Sequence, residues 1–197
     1  MFTGIVEEKG RVTRILPADQ GIRIEVEGPL VAPGLAVGDS IAVNGVCLTV
    51  VESMPTGFAA DVVKETLDRT NLGTLQSGSS VDLERPMLAS GRFDGHIVQG
   101  HVDGVGRVER VMPEGEGARM TISVPGALER FVVEKGSVTV DGVSLTIARL
   151  VERSFEVALI PHTLAVSVLG ERSPGDLVNL EVDVIAKYVE RLLEERA

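Results

Sequence analysis

"VNGVCLTV" occupies residues 43–50, and "VDGVSLTI" occupies residues 140–147. The second stretch restates the first 97 positions later, with Asn44 becoming Asp141 and Cys47 becoming Ser144. The correspondence extends outward in both directions. "GIVEEKGRV" (4–12) aligns with "GHVDGVGRV" (100–108), and "GDSIAV" (38–43) with "KGSVTV" (135–140). "KETL" (64–67) matches "PHTL" (161–164), "NLG" (71–73) matches "VLG" (168–170), and "VDLE" (81–84) matches "VNLE" (178–181). The matches stay in order across nearly the whole chain, which chance similarity does not do. A period this long exceeds the units of about 20–50 residues that build solenoids. It therefore indicates a duplicated domain, with units at 1–97 and 98–184 and a terminal segment at 185–197.

Within each unit the pattern is that of strands. "GIRIEVEG" (21–28) alternates Ile22, Ile24 and Val26 with Arg23, Glu25 and Glu27, and "RMTISV" (119–124) does the same in the second unit. This period of two marks a strand with one buried face. Several short strands at regular spacing predict a small barrel or sandwich, and closure into a barrel would remove exposed edges. Short helical turns are expected at "PGALERFV" (125–132), "ETLDRT" (65–70) and "HTLAVS" (162–167). One longer helix is expected at the end, where "IAKYVERLLEER" puts Ile185, Tyr188, Val189 and Leu192 on one face. Two closed barrels leave it little core to join. It is therefore expected to pack on another copy of the chain, with docking on its own barrel as the alternative.

Composition narrows the functional classes. The 197 residues are 44% hydrophobic and 24% charged, enough apolar material for packed cores. Aromatics make up only 3%, so the cores must rest on aliphatic side chains. A net charge of −10 with no basic cluster argues against a nucleic-acid partner, which needs a cationic surface. No run of some 18–20 apolar residues is present to span a membrane. The N-terminus lacks the pattern of a signal peptide, and a single cysteine suits a reducing cytoplasm.

Read residue by residue, the chemistry is sparse. The three histidines are His96, His101 and His162, without the cysteine or histidine spacing of a metal site. Cys47 lies in an apolar run, where a free thiol is commonly a small buried hydrophobe. There is no Walker-type loop, dinucleotide fingerprint or "GxSxG" elbow.

Taken together, however, "MFTGIVEE" (1–8), "VNGVCLTV", "KETL" with "TNLG", "ERP" (84–86), "GHIVQGHVDG" (95–104), "DGVSLTI" and "IPHTL" (160–164) resemble the riboflavin synthase α-chain family, with tandem lumazine-binding domains, over essentially the full chain. The resemblance implies an all-β fold of two six-stranded Greek-key barrels and a C-terminal trimerisation helix. It implies a transferase in riboflavin biosynthesis that exchanges a four-carbon unit between two molecules of 6,7-dimethyl-8-ribityllumazine. The products are riboflavin and 5-amino-6-ribitylaminouracil, and no metal or organic cofactor takes part. The active site would lie between subunits of a homotrimer, with lumazine synthase a candidate partner.

Transferred position by position, the first pocket would comprise Gly4, Ile5, Val6, Cys47, Leu48, Thr49, Asp61, Val62, Val63, Lys64, Glu65 and Thr66. The second would comprise Gly100, His101, Val102, Lys135, Asp141, Ser144, Leu145, Thr146, Ile160, Pro161, His162, Thr163, Leu164 and Ala165. Phe2 and Thr3 would form a lid, with Phe2 among the catalytic candidates. His101 is the candidate for moving a proton from the 7-methyl group of one substrate. Ser40, Cys47 and Thr49 are candidates for adding to C7 of the other, or delivering water to it. Asp94 replaces a glycine usual in the family, and His162 stands where an acidic residue is common. The rival expectation is a non-catalytic antenna of the same fold that binds lumazine or flavin.

Overall fold

The computed structural model describes residues 1–194 and contains two closed six-stranded antiparallel barrels followed by a helix. The first barrel consists of β1 (Glu8–Ala18), β2 (Gly21–Glu27), β3 (Ser40–Val43), β4 (Val46–Met54), β5 (Gly57–Val63) and β6 (Ser80–Glu84). Its strands follow the order β1-β2-β5-β4-β3-β6 around the barrel. The second barrel is built from β7 (Gly104–Glu114), β8 (Gly117–Ser123), β9 (Ser137–Val140), β10 (Val143–Val151), β11 (Ser154–Leu159) and β12 (Leu177–Val182), and repeats that order. Short helices α1 (Lys64–Arg69) and α2 (Pro161–Val166) follow β5 and β11 at equivalent places. The expected turn near 125–132 is a 3-10 helix at Gly126–Phe131.

Each barrel closes over its own aliphatic core. Ile24, Val26, Val50, Phe58 and Leu83 fill the first, and Met120, Ile122, Ile147, Phe155 and Leu180 fill the second. The period-two strands supply these side chains from their inward faces. A third, smaller apolar group joins the barrels, made of Phe2, Ala42 and Val98 with Cys47 against it. Phe2 and Val98 pair across the junction through a 2.8 Å and a 3.2 Å backbone hydrogen bond. The tips of the two opening phrases also meet. A Cβ on Gly45 would lie 2.6 Å from the Gly142 nitrogen, so this contact admits only glycine.

Around that contact lies a buried polar network that explains the Asn44/Asp141 difference. The two barrels exchange an acid and an amide at paired positions, Asn44 with Asp82 in the first and Asp141 with Asn179 in the second. The Asp82 amide donates to Asn44 Oδ1 at 2.8 Å, and the Asn179 amide donates to Asp141 Oδ1 at 2.8 Å. Asp141 also accepts from Asn71 and from the Arg172 guanidinium. Its expected place in a substrate pocket is therefore corrected. Asp141 is completely buried, and its oxygens are taken up by Asn71 of the first unit and by Asn179 and Arg172 of its own.

The terminal helix α3 (Val184–Glu194) starts directly after the second barrel. Lys187–Asp103 and Arg130–Glu190 ion pairs tie its polar side to that barrel. Ile185, Tyr188, Val189, Leu192 and Leu193 remain exposed, so the apolar face does not dock on its own barrel. Residues 195–197 of the expected helical segment lie outside the described residues.

Candidate functional site

Two equivalent clips dominate the groove between the barrels. The segment around Gly4 leaves the first barrel and reaches β10 of the second, where the Ser144 amide donates to the Gly4 carbonyl at 2.7 Å. The segment around Gly100 makes the reverse crossing, and the Cys47 amide donates to the Gly100 carbonyl at 2.9 Å. Both glycines have left-handed backbones, with φ of 77° and 76°. A Cβ on either would come within 2.6 Å of the Cβ of Ser144 or Cys47. The crossing is completed by side chains: Val6 packs against the core of the second barrel and Val102 against the first.

This geometry regroups the expected pockets. Gly4, Ile5 and Val6 stand with Ser144, Leu145 and Thr146 of the second barrel, rather than with their own. Gly100, His101 and Val102 stand with Cys47, Leu48 and Thr49 of the first. Sequence order suggests the opposite pairing because chain proximity does not reveal a crossover.

On β4 the residues Cys47 and Thr49 face outward, while Leu48 points into the core. Ser40 stands opposite Thr49 in the β3–β4 register. Ser144 and Thr146 form the matching outward pair on β10. A cleft of about 590 Å³ at the β1–β2 turn and the end of β5 is lined by Arg23, Asp61, Val62 and Val63, among others, and a neighbouring one of about 550 Å³ includes Val63, Lys64 and Glu65. Thr66 is half-buried on α1. Another cleft, of about 680 Å³, brings Thr3, Ile5 and Ser40 together. The Val62 side chain belongs to the core, so only its backbone can meet a ligand.

Asp61 does not stand alone in its cleft. Arg23 grips its carboxylate with two hydrogen bonds of 2.7 and 3.1 Å, which hold the Asp61 pKa below its ordinary value. In the second barrel, Ile160, Pro161, His162 and Ala165 are exposed at the start and along the face of α2, with Thr163 and Leu164 half-buried. Lys135 is exposed and adopts a left-handed φ of 66° at the place where the first unit has Gly38. His101 is exposed at the Gly100 clip, beside Cys47.

The expected lid is not formed. Phe2 is fully buried and Thr3 is 7% exposed, because the aromatic ring fills the junction between the barrels. Thr3 is held by its amide and hydroxyl, which donate to Glu84 at 2.7 and 3.0 Å.

Three residues not singled out as site candidates by sequence converge on this region. His96 is buried with Nδ1 2.7 Å from Ser144 Oγ, and Nε2 has no partner among the described residues. Burial lowers its pKa, which favours the neutral ring. The other two are Glu84 and Glu181, at equivalent ends of β6 and β12, whose carboxylates receive the amides of the two clips. The "VDLE"/"VNLE" match was the available signal for the glutamates, and it reads equally well as strand packing. Among the described residues no group of three or more His, Cys, Asp or Glu gathers as for a metal ion.

Comparison with known proteins shows the family to which the chain belongs. Residues 3–86 and 99–183 each match the Lumazine binding domain family. Riboflavin synthase from Mycobacterium tuberculosis is 52% identical over 98% of both chains. Riboflavin synthase from Bacillus subtilis is 42% identical over 99% of this chain and 91% of the relative. Among solved structures, LumP complexed with riboflavin superposes with a TM-score of 0.86, covering 92% of this chain and 99% of that one at 24% identity. LumP complexed with 6,7-dimethyl-8-(1'-D-ribityl) lumazine gives a TM-score of 0.84 at 23% identity, with the same coverage of both chains.

Proposed function

The chain belongs to the riboflavin synthase family, whose members carry lumazine-binding domains in tandem, and from that premise we propose its reaction and the roles of its residues. It is a transferase that converts two molecules of 6,7-dimethyl-8-ribityllumazine into riboflavin and 5-amino-6-ribitylaminouracil. One lumazine gains the four-carbon unit that the other loses. The exchange is redox-neutral, so it calls for no external oxidant, and we assign no cofactor.

The observation that carries this reading is the pair of matching clips. A reaction between two identical molecules needs two similar pockets, and the crossed segments supply one on each barrel. We assign Gly100, His101, Val102, Cys47, Thr49 and Asp61 to Thr66 to the first pocket. Gly4, Ile5, Val6, Lys135, Ser144, Thr146 and Ile160 to Ala165 are assigned to the second. Val63 and Ile160 are 49% and 61% exposed at equivalent mouths, giving each pocket an apolar surface for a pteridine ring.

His101 is assigned the proton transfer at the 7-methyl group, since its exposed imidazole follows directly on Gly100, whose carbonyl is bound by the Cys47 amide of the pocket strand. Cys47, Thr49 and Ser40 share one outward surface, from which a hydroxyl, thiol or held water can add to C7 of the second lumazine. Proximity and a fixed electrostatic setting would lower this barrier as much as the base itself.

The exposed face of α3 supports a homotrimer that brings a first-barrel pocket of one subunit against a second-barrel pocket of its neighbour. No helix among the described residues is long and apolar enough to cross a membrane, and we place the enzyme in the cytoplasm, with lumazine synthase as a candidate partner. The antenna alternative is weaker, because full-length relatives at 42–52% identity are named as synthases.

The test is incubation of the purified protein with 6,7-dimethyl-8-ribityllumazine, followed by riboflavin absorbance and fluorescence. Turnover is expected in the wild type, and His101→Ala should reduce it by about 10²–10⁴-fold, the usual contribution of general acid–base catalysis. Binding without turnover would favour the antenna, and near-wild-type turnover in His101→Ala would remove that role.

A further inference from the structure

The structure assigns Glu84 and Glu181 a positioning role, in which each buried carboxylate fixes one pocket clip from behind. The assignment rests on reading the Gly4 and Gly100 segments as substrate contacts. Glu84 accepts from the Thr3 amide, the Thr3 hydroxyl and the Gly4 amide at 2.7, 3.0 and 3.0 Å. Glu181 accepts from the amides of Gln99, Gly100 and His101 at 2.7, 2.9 and 3.0 Å. Both side chains are nearly inaccessible, at 6% and 2% exposure.

The consequence lies in how the glycines are held. The N–H of Gly4 or Gly100 is bound by the last strand of its own barrel, whereas its carbonyl is bound by the pocket strand of the other barrel. A peptide gripped on both sides cannot drift from Ser144 or Cys47 without breaking a hydrogen bond to a charged group, which is among the stronger kinds. Preorganisation of this sort matters because a displacement of about 1 Å near reacting atoms can cost 10²-fold in rate.

The two clips differ at the residue after the glycine. It is Ile5 in one and His101 in the other. Glu181 therefore fixes the backbone that carries the proposed proton-transfer group, and Glu84 fixes an apolar contact. Burial raises the pKa of both carboxyls, while the backbone donors counteract it. Replacement by glutamine keeps the size and one acceptor but turns an NH₂ group toward backbone N–H groups. At least one amide then loses its partner.

Steady-state turnover of 6,7-dimethyl-8-ribityllumazine by the full chain, with thermal unfolding measured in parallel, tests the assignment. Glu181→Gln is expected to lower kcat on the order of tenfold with little change in KM. Glu84→Gln should instead raise KM by a similar factor, as the loss of one charged hydrogen bond implies. Wild-type kinetic constants in Glu181→Gln overturn the assignment. So do equal losses of kcat and KM in both variants that follow a fall in Tm, since this marks a structural role only. A wild type without turnover instead refutes the reading on which the assignment rests.

Amide hydrogen exchange on the unmutated protein gives a check that needs no variant to fold. The Gly100 and His101 amides should exchange slowly although the His101 side chain is exposed. Exchange at the rate of free peptide overturns the assignment.

Discussion

Replacing Asp82 by asparagine should stabilise this protein as pH rises, although it removes a carboxyl from a buried polar network. Asp82 is 2% exposed on β6, and its Oδ1 accepts the Val168 amide at 2.8 Å. Its Oδ2 has no partner among the described residues. The equivalent residue in the second barrel is Asn179, whose Oδ1 accepts the Asn71 amide at 2.7 Å and whose Nδ2 donates to the Asn44 carbonyl at 2.8 Å. By the same correspondence, Asp82 Oδ2 takes the place of a donor opposite the Asp141 carbonyl. A carboxyl can act there only when protonated.

The charges around Asp82 agree with a neutral form. Burial raises its pKa well above the ordinary 3.8 and Asp141 raises it further, against the lowering effects of the Val168 amide, Arg172 and Lys9. The raised folded-state pKa means that the group's stabilising contribution is complete below pH 3.8. It is then lost as pH climbs through the folded-state value. Over that window the wild type should lose about 1.4 kcal/mol per pH unit from this residue alone. Asp82→Asn carries a permanent donor and no such loss.

Since about 1 kcal/mol moves Tm by roughly 2–4 °C in a chain of this size, the two Tm curves should separate by roughly 3–6 °C for each unit of that window. Scanning calorimetry of both proteins from pH 4 to pH 9 measures it. Glu84 and Glu181 also have raised pKa values, but they are common to both proteins. Parallel curves, or a variant less stable at every pH, would show that Asp82 is ionised and would refute the argument.

Two further outcomes test the junction and the helix. Phe2→Ala should cost about 3–5 kcal/mol, as for a large core side chain, and lower Tm accordingly; a shift near zero would return Phe2 to a mobile lid. Tyr188→Asp combined with Leu192→Asp should leave circular dichroism unchanged, dissociate the oligomer in sedimentation velocity and abolish turnover. A variant that stays assembled and active would exclude α3 as the interface.

The duplication, the strands and the outward-facing positions proposed for the pockets are all legible in the sequence. Ile22, Ile24 and Val26 state their buried face locally, because side chains alternate along a strand whatever lies beyond it. The repeat of "VNGVCLTV" as "VDGVSLTI" states that one barrel is built twice, and the outward pairs Cys47 with Thr49 and Ser144 with Thr146 follow from the same alternation. The tertiary structure decided the rest, since it depends on which distant segments meet.

Gly4 belongs with Ser144, and Gly100 with Cys47, because two short segments cross between the barrels, and no periodicity records a crossing. Phe2 reads as a free N-terminal residue until Val98 and Ala42 enclose it. Glu84 and Glu181 look like strand ends until the clip amides arrive, in both cases from 81 residues earlier in the chain. The two polar substitutions between the repeated phrases part company for the same reason. Cys47 and Ser144 face outward toward the crossing segments, while Asn44 and Asp141 turn inward, where burial favours a hydrogen-bond partner for polar atoms. Asn44 Oδ1 finds Asp82 of its own barrel, and Asp141 finds Asn179 and Arg172 of its own unit and Asn71 of the other.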